Sequence, residues 1–293
     1  IDLIIANVHP PVLMGCLLRL IRFTTGIPYV LHCQDIHPEA AFHIGILKSK
    51  VLRRILIAID HKNCELAERV VVLSSDMAET LQSRYPNKVL QNIEVINNFS
   101  LQRYASNGKP LPLFENKPEQ SPPFRILFSG NIGRFQCLHR LLEVSYLLKS
   151  EKDIHFIFMG AGSEKNNLKL QAGELLGKTV FFEDHQSVET AFACMELADL
   201  GVVSLAPDMF RLAFPSKTMT YLSAGCPLLT LVESQSELSQ VVTSNKLGIV
   251  PENLTAHSIS ETVKAGYKLR DTKYFFDKKR IRDCGEKVFG REK

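Results

Sequence analysis

Phe124-Arg-Ile-Leu-Phe-Ser-Gly-Asn-Ile-Gly-Arg134 reads as a short apolar strand that runs into a glycine turn. Beyond it, apolar residues from Leu138 to Leu148 recur at helical spacing. Strand, glycine turn and helix in that order make a βα unit, and Gly130 and Gly133 allow a close backbone approach that a Cβ would block. A phosphate docks naturally on such a helix start. The stretch Phe214-Pro-Ser-Lys-Thr-Met-Thr-Tyr-Leu-Ser-Ala-Gly225 opens a second predicted helix. Arg134 and Lys217 thus fall at helix N-termini, where partial positive charge and unpaired N–H groups disfavour a cation unless an anion lies between. The expected anion is a diphosphate. The glycines follow neither the dinucleotide G-x-G-x-x-G nor the G-x-x-x-x-G-K-[ST] pattern. Without Lys217 and its loop, the G-x-x-G would be an ordinary βα turn.

The same strand-then-helix rhythm extends over the whole chain. Strands are expected at 3–6, 29–33, 70–73 and 93–96, then at 126–128, 154–159, 180–182, 201–205 and 228–232. They are continuous apolar runs, the pattern of parallel strands covered on both faces, so the fold class is α/β and doubly wound. The intervening Ser100 to Pro123 is rich in Pro, Asn, Gly and Lys and reads as a linker. The expected organisation is an N-terminal Rossmann-like domain over 1–110, a linker over 111–123 and a C-terminal Rossmann-like domain over 124–293. In open α/β sheets ligands bind at the carboxyl ends of strands. Three loops fall there: the Gly130 turn, the turn Met159-Gly-Ala-Gly-Ser-Glu164 and the loop before Pro215. Gly160 and Gly162 carry two readings, a ligand contact or a helix-entry turn with Ser163 as N-cap.

Composition agrees with a large soluble-type core. The chain has 293 residues, 45% of them hydrophobic, enough for two domains. Net charge is +4 without a basic stripe, which argues against nucleic acid as the partner. The seven cysteines are scattered and form no C-x-x-C pair, the usage expected of buried thiols in a reducing cytoplasm and not of a disulfide frame or zinc site. The apolar stretches 12–23 and 51–59 are short and interrupted by Arg19, Arg22, Arg53 and Arg54, so no transmembrane helix is expected. The start Ile1-Asp-Leu-Ile-Ile-Ala-Asn7 lacks an initiator Met and begins inside an apparent strand. It reads as a fragment whose first domain is incomplete.

These residues carry a family resemblance. Gln34-Asp-Ile-His-Pro38, Ser129 to Arg134, Ala198-Asp199 and Pro215 to Pro227 resemble, in order, motifs of the GT-B glycosyltransferases of the family 4 type. The branch is that of bacterial polysaccharide, colanic-acid-like enzymes with a Pro-Ser-Lys loop. The resemblance implies transfer of a hexosyl or N-acetylhexosaminyl group from a nucleotide-diphosphate sugar to a glycan or lipid-linked acceptor. Retention at the anomeric carbon and no metal or other cofactor are implied with it. Arg134 and Lys217 would neutralise the departing diphosphate, an electrostatic role that replaces Mg²⁺. Gly130, Asn131, Gly133, Gly160, Gly162, Pro215, Ser216 and Thr220 would complete the donor site. Two departures stand out: an acidic pair that binds the donor ribose in many members is replaced by Leu212 and Thr220, and a lysine after the Gly-Arg turn by Gln136.

On the acceptor side, Asp35 is expected to hydrogen-bond a sugar or acceptor hydroxyl and His37 to assist deprotonation, since histidine titrates near neutrality. A capping Asp35 and a surface His37 are the structural alternative. His185 is expected either near the nucleobase or as a plain loop residue, and His32 in the core. A GT-B sugar-nucleotide epimerase, with Asp35 and Glu39 as acid and base, and a non-catalytic GT-B binding subunit are the rival functions. Lys48, Lys50, Arg53 and Arg54 beside Ile46, Leu47, Val51, Leu52, Ile55 and Leu56 suit either a packed helix or peripheral contact with the cytoplasmic face of the inner membrane.

Overall fold

The computed structural model describes residues 1–99, 108–115, 121–270 and 277–290. The chain divides into two compact units, Ile1–Asn97 with Pro207–Phe214, and Asn98–Ala206 with Pro215–Lys293. Much of the expected linker, 100–107 and 116–120, lies outside the described residues. Its described part belongs to the second unit, where Phe114 is fully buried with the Arg125 guanidinium above its ring.

In the first unit the strands β1 (Ile4–Asn7), β2 (Tyr29–Cys33), β3 (Arg69–Val72) and β4 (Ile93–Val95) form a parallel sheet in chain order. Helices α1 (Leu13–Thr25), α2 (Glu39–His43), α3 (Lys50–Glu65) and α4 (Ser75–Ser83) connect them. Ser49 caps α3 and Ser74 caps α4, each accepting from the N–H three residues on, which supplies one of the unpaired donors of a helix start. The buried Asn63 amide of α3 donates to the Val12 carbonyl at the start of α1, 3.1 Å away. The segment Pro207–Phe214, which the sequence reading puts in the second domain, belongs here instead. Its carbonyls accept from the first unit: Leu212 O from the Ile36 N–H (2.7 Å) and Arg211 O from the Thr80 hydroxyl (2.8 Å).

The second unit holds β5 (Phe124–Ser129), β6 (Ile154–Met159), β7 (Val180–Glu183), β8 (Leu200–Ser204), β9 (Leu228–Leu231) and β10 (Gly248–Ile249). Their order is β10-β9-β8-β5-β6-β7, all parallel. Read from the other edge this is the doubly wound arrangement in which the first strand is central and the chain reverses direction beside it. Helices α5 (His139–Leu147), α6 (Lys165–Gln171), α7 (Val188–Leu197), α8 (Lys217–Ser223), α9 (Glu237–Ser244), α10 (Ala256–Lys268) and α11 (Lys278–Phe289) connect and flank the strands. The core runs through Ile126, Phe128, Phe156, Phe158, Val180, Leu200, Leu229 and Val263. Burial of such side chains stabilises by about 1.5–3 kcal/mol each before conformational entropy is counted.

Candidate functional site

The carboxyl ends of β5, β6 and β7 are level, because Ser129 pairs with Met159 and Met159 with Glu183. The turns that follow are stitched together by backbone bonds. Gly130 N–H donates to Met159 O (3.0 Å), Gly160 N–H to Glu183 O (3.1 Å), Ile132 N–H to Ala161 O (2.8 Å) and Glu164 N–H to Ile132 O (3.0 Å). A Cβ on Gly160 would overlap the Gly130 carbonyl oxygen, and its φ is +148°. The glycine there is required by the packing of one turn on another. The N-cap of α6 is Glu164, without a side-chain cap bond, so Ser163 does not play the capping part expected of it.

Helix α8 lies over this edge and is fixed by Tyr221. The Tyr221 side chain is fully buried; its hydroxyl donates to Leu127 O (3.0 Å) and accepts from the Ser129 N–H (2.7 Å). Burial pushes the phenol's pKa well above its ordinary value, so the hydroxyl stays neutral. Lys217 stands one turn earlier on the same helix face. Its Cε lies 3.8 Å from the place a Cβ on Gly130 would take. Lys217 is an exposed residue, yet partial desolvation lowers the pKa of its ammonium from the ordinary lysine value; among the described residues it forms no ion pair or side-chain hydrogen bond.

Gly130, Gly160, His185, Lys217 and Thr220 line one pocket together with Ser129, Gln186 and the apolar Met159, Phe192 and Met195. Among the described residues no carboxylate lines it. It encloses about 90 Å³, the liquid volume of about three waters. A compact polar group fits, with the rest of any ligand lying outside. An anion there meets an ammonium without a partner among the described residues and the exposed His185.

Other expected site residues stand elsewhere. Arg134 is on a 3-10 turn, Arg134–Gln136, and not at the start of α5, which begins at His139. Its side chain is 81% exposed and pairs with Glu164 at 3.2 Å. Asp184, another acid near these turns, takes Lys165 instead. Asn131 is exposed and Gly133 buried on the same turn; Gly162 and Ser216 are exposed and Pro215 partly buried on the flanking turns. None of these residues lines the pocket. Gln136 turns back to accept from the Gly133 N–H (3.1 Å).

Asp35 and His37 belong to the first unit. Asp35 forms an isolated bridge to Ala213. His37 has a buried Nδ1 without a hydrogen-bond partner, and burial holds its imidazole below the usual histidine range against the opposing pull of Asp35. A neutral ring is the proton-accepting form. His32 is half-buried at the sheet end and bonded to Asn7 Oδ1 (3.0 Å). Beneath the Gln34–Pro38 loop lies an ion cluster that the sequence reading missed. Arg84 donates to both Glu39 oxygens (2.7 and 2.8 Å), to Asp60 Oδ2 (2.7 Å) and to His37 O (2.7 Å), with 2% of its side chain exposed. Burial raises the Asp60 pKa while Arg84 opposes the rise. Arg84 sits in a polar surface-like stretch, so nothing in the local pattern marks it as buried; the only signals are acids at 39 and 60 that need a partner.

Residues 123–265 match the family model described as glycosyl transferases group 1. The chain is similar to the probable glycosyltransferase WbjE of Pseudomonas aeruginosa, 27% identical over 257 residues, covering 84% of this chain and 61% of that protein. It is also similar to the putative colanic acid biosynthesis glycosyl transferase WcaI of Escherichia coli K12, 24% identical over 249 residues, covering 81% of this chain and 59% of that one. The chain therefore spans about three fifths of the length of these curated relatives. Among solved structures, Anabaena Alr3699/HepE in complex with UDP superposes with a TM-score of 0.71 at 15% identity, over 98% of this chain and 74% of that one. The chain has the GT-B fold, and the region that matches the glycosyl transferases group 1 family lies in its second unit apart from Pro207–Phe214.

Proposed function

We propose that the protein is a glycosyltransferase of the family 4 type, in the branch with a Pro-Ser-Lys loop, and that the pocket at the ends of β5 and β6 receives the diphosphate of a nucleotide sugar. The observation that carries this reading is Lys217: an exposed residue whose partly shielded ammonium has no partner among the described residues, on the helix that Tyr221 fixes over a glycine turn, beside a pocket whose described lining holds no carboxylate. As the sugar–oxygen bond breaks, negative charge grows on the diphosphate, and a preorganised cation stabilises it more in the transition state than in the ground state. The reaction proposed is retaining and independent of metal, with a hexosyl or N-acetylhexosaminyl donor and a glycan or lipid-linked acceptor. Asp35 and His37 are the proposed acceptor-side residues, His37 in its neutral form taking the acceptor's proton.

The rival epimerase reading needs a free carboxylate at Glu39, whose two oxygens are both held by Arg84. The test is a panel of sugar nucleotides offered to the full-length protein in excess chelator. Release of one nucleoside diphosphate with transfer of its sugar supports the reading; activity lost to chelator and restored by Mn²⁺ sinks the metal-free part, and no release from any donor favours a binding subunit.

Cytoplasmic location and peripheral membrane contact complete the proposal. No described helix is long and apolar enough to cross a membrane. The first turns of α3 expose Val51, Leu52 and Ile55 beside Lys50, Arg53 and Arg54, a surface suited to anionic lipid. Flotation with anionic vesicles should weaken in high salt and with Arg53→Glu/Arg54→Glu; a parent protein that stays unbound at low salt has no lipid-facing α3.

A further inference from the structure

Lys165 is the first residue of α6, a position where an ammonium is unfavourable unless acceptors surround it. Here they do. Its side chain is 15% exposed, and its Nζ donates to Gly160 O (2.9 Å), Glu183 O (2.7 Å) and Asp184 Oδ1 (2.7 Å). The three acceptors come from two strand ends. Gly160 follows β6, while Glu183 ends β7 and Asp184 follows it, leading directly into His185. The Glu183 carbonyl also accepts from the Gly160 N–H at 3.1 Å, so one ammonium and one amide close the gap between the two turns. Both turns supply lining to the pocket, through Gly160 on one side and His185 and Gln186 on the other.

We propose that Lys165 is a positioning residue for the donor pocket: its ammonium clamps the Gly160 turn to the His185 loop and so sets the pocket's floor and side wall. The inference rests on the donor-site reading given above. Lys165 uses its three N–H donors on the protein's own oxygens and does not face the pocket as a ligand group. The two carbonyls carry the clamp, because Asp184 is 94% exposed and an ion pair to such a group contributes little.

The test is calorimetric titration with UDP, GDP and ADP of the parent and of Lys165→Met, Lys165→Gln, Lys165→Arg and Asp184→Asn, at a temperature where circular dichroism shows each folded. For the nucleotide that the parent binds, Lys165→Met should weaken affinity about tenfold, because both carbonyls that hold the two turns together lose their charged donor. Lys165→Arg should recover most of it, and Asp184→Asn should stay within about twofold of the parent because both carbonyl bonds survive. Should Lys165→Met fail to fold, Lys165→Gln, which keeps one donor, decides in the same direction. A purely structural lysine would lower the melting temperature and leave affinity alone. Unchanged affinity in a folded Lys165→Met or Lys165→Gln overturns the clamp while leaving the donor site standing. A parent that binds none of the three nucleotides overturns the donor-site reading, and the clamp falls with it.

Discussion

The starts of α6 and α8 pose the same electrostatic problem and solve it differently. Both helices belong to the second unit, and each places a lysine at its first position, where the helix's own partial charge is positive. At α6 the protein supplies three oxygens to Lys165. At α8 it supplies none to Lys217 among the described residues, and burial lowers that ammonium's pKa without a compensating charge. A cation with its own partners serves the architecture; one left without them beside a pocket is available to a ligand. Arg84 in the first unit marks the far end of the scale, with both oxygens of Glu39, one of Asp60 and a carbonyl around a single buried guanidinium.

If this distinction is right, removing each cation has a different consequence. The largest is expected at Arg84: Arg84→Met leaves Glu39 and Asp60 buried without their partner and should cost about 3–5 kcal/mol of stability, read by urea denaturation. A loss below about 1 kcal/mol would mean the cluster is relaxed or hydrated. Next comes Lys165→Met, which frees two carbonyls and should lower stability by about 1–3 kcal/mol. Lys217→Ala should act the other way. Without ligand it relieves a cation at a helix start and should stabilise by about 0.3–1 kcal/mol, a small rise in melting temperature. A clear fall would show that Lys217 has structural partners after all.

The smallest effect concerns pH and lies beside Arg84. His61 is buried, its ring tilted at 58° against that of Tyr85 with centroids 4.6 Å apart, and both its ring nitrogens lack partners among the described residues. Burial first, then Arg84 and the nearby Lys88 and Lys62, lower its pKa from 6.5 against the opposing Glu65. The unfolded chain therefore binds a proton more readily than the native one. Stability from this group is present above the ordinary histidine pKa and is lost as pH falls below it. His61→Phe should flatten the fall in melting temperature between about pH 7.5 and about pH 5.5; an unchanged slope would assign the acid sensitivity to His32, His37 or His155, which burial also shifts downward.

Much of the fold is legible in the sequence because buried parallel strands are continuous apolar runs. Tyr29–Cys33 and Ile154–Met159 coincide with the expected segments, while the two-residue β10 is too short to leave a pattern. The helical spacing of 138–148 locates α5, yet it cannot reveal that residues 134–136 wind as a 3-10 turn, which carries Arg134 outward to Glu164. Lys217 is legible because Pro215 and Ser216 announce a helix start. The same logic applied to Gly160-Ala-Gly-Ser-Glu-Lys165 marks Lys165 as a second cation at a helix start, but its satisfaction depends on β7 lying beside β6, a long-range pairing that local pattern does not contain. The placement of 207–214 with the first unit is hidden for the same reason.

The central claim is that Lys217 is kept free for a diphosphate, and calorimetric binding of a nucleoside diphosphate to the parent and to Lys217→Ala tests it most directly. The account predicts a loss of about 1.5–3 kcal/mol in Lys217→Ala, typical of a hydrogen bond to a charged group, with Lys217→Arg losing less because it keeps the cation. Equal affinity of Lys217→Ala and the parent would contradict it.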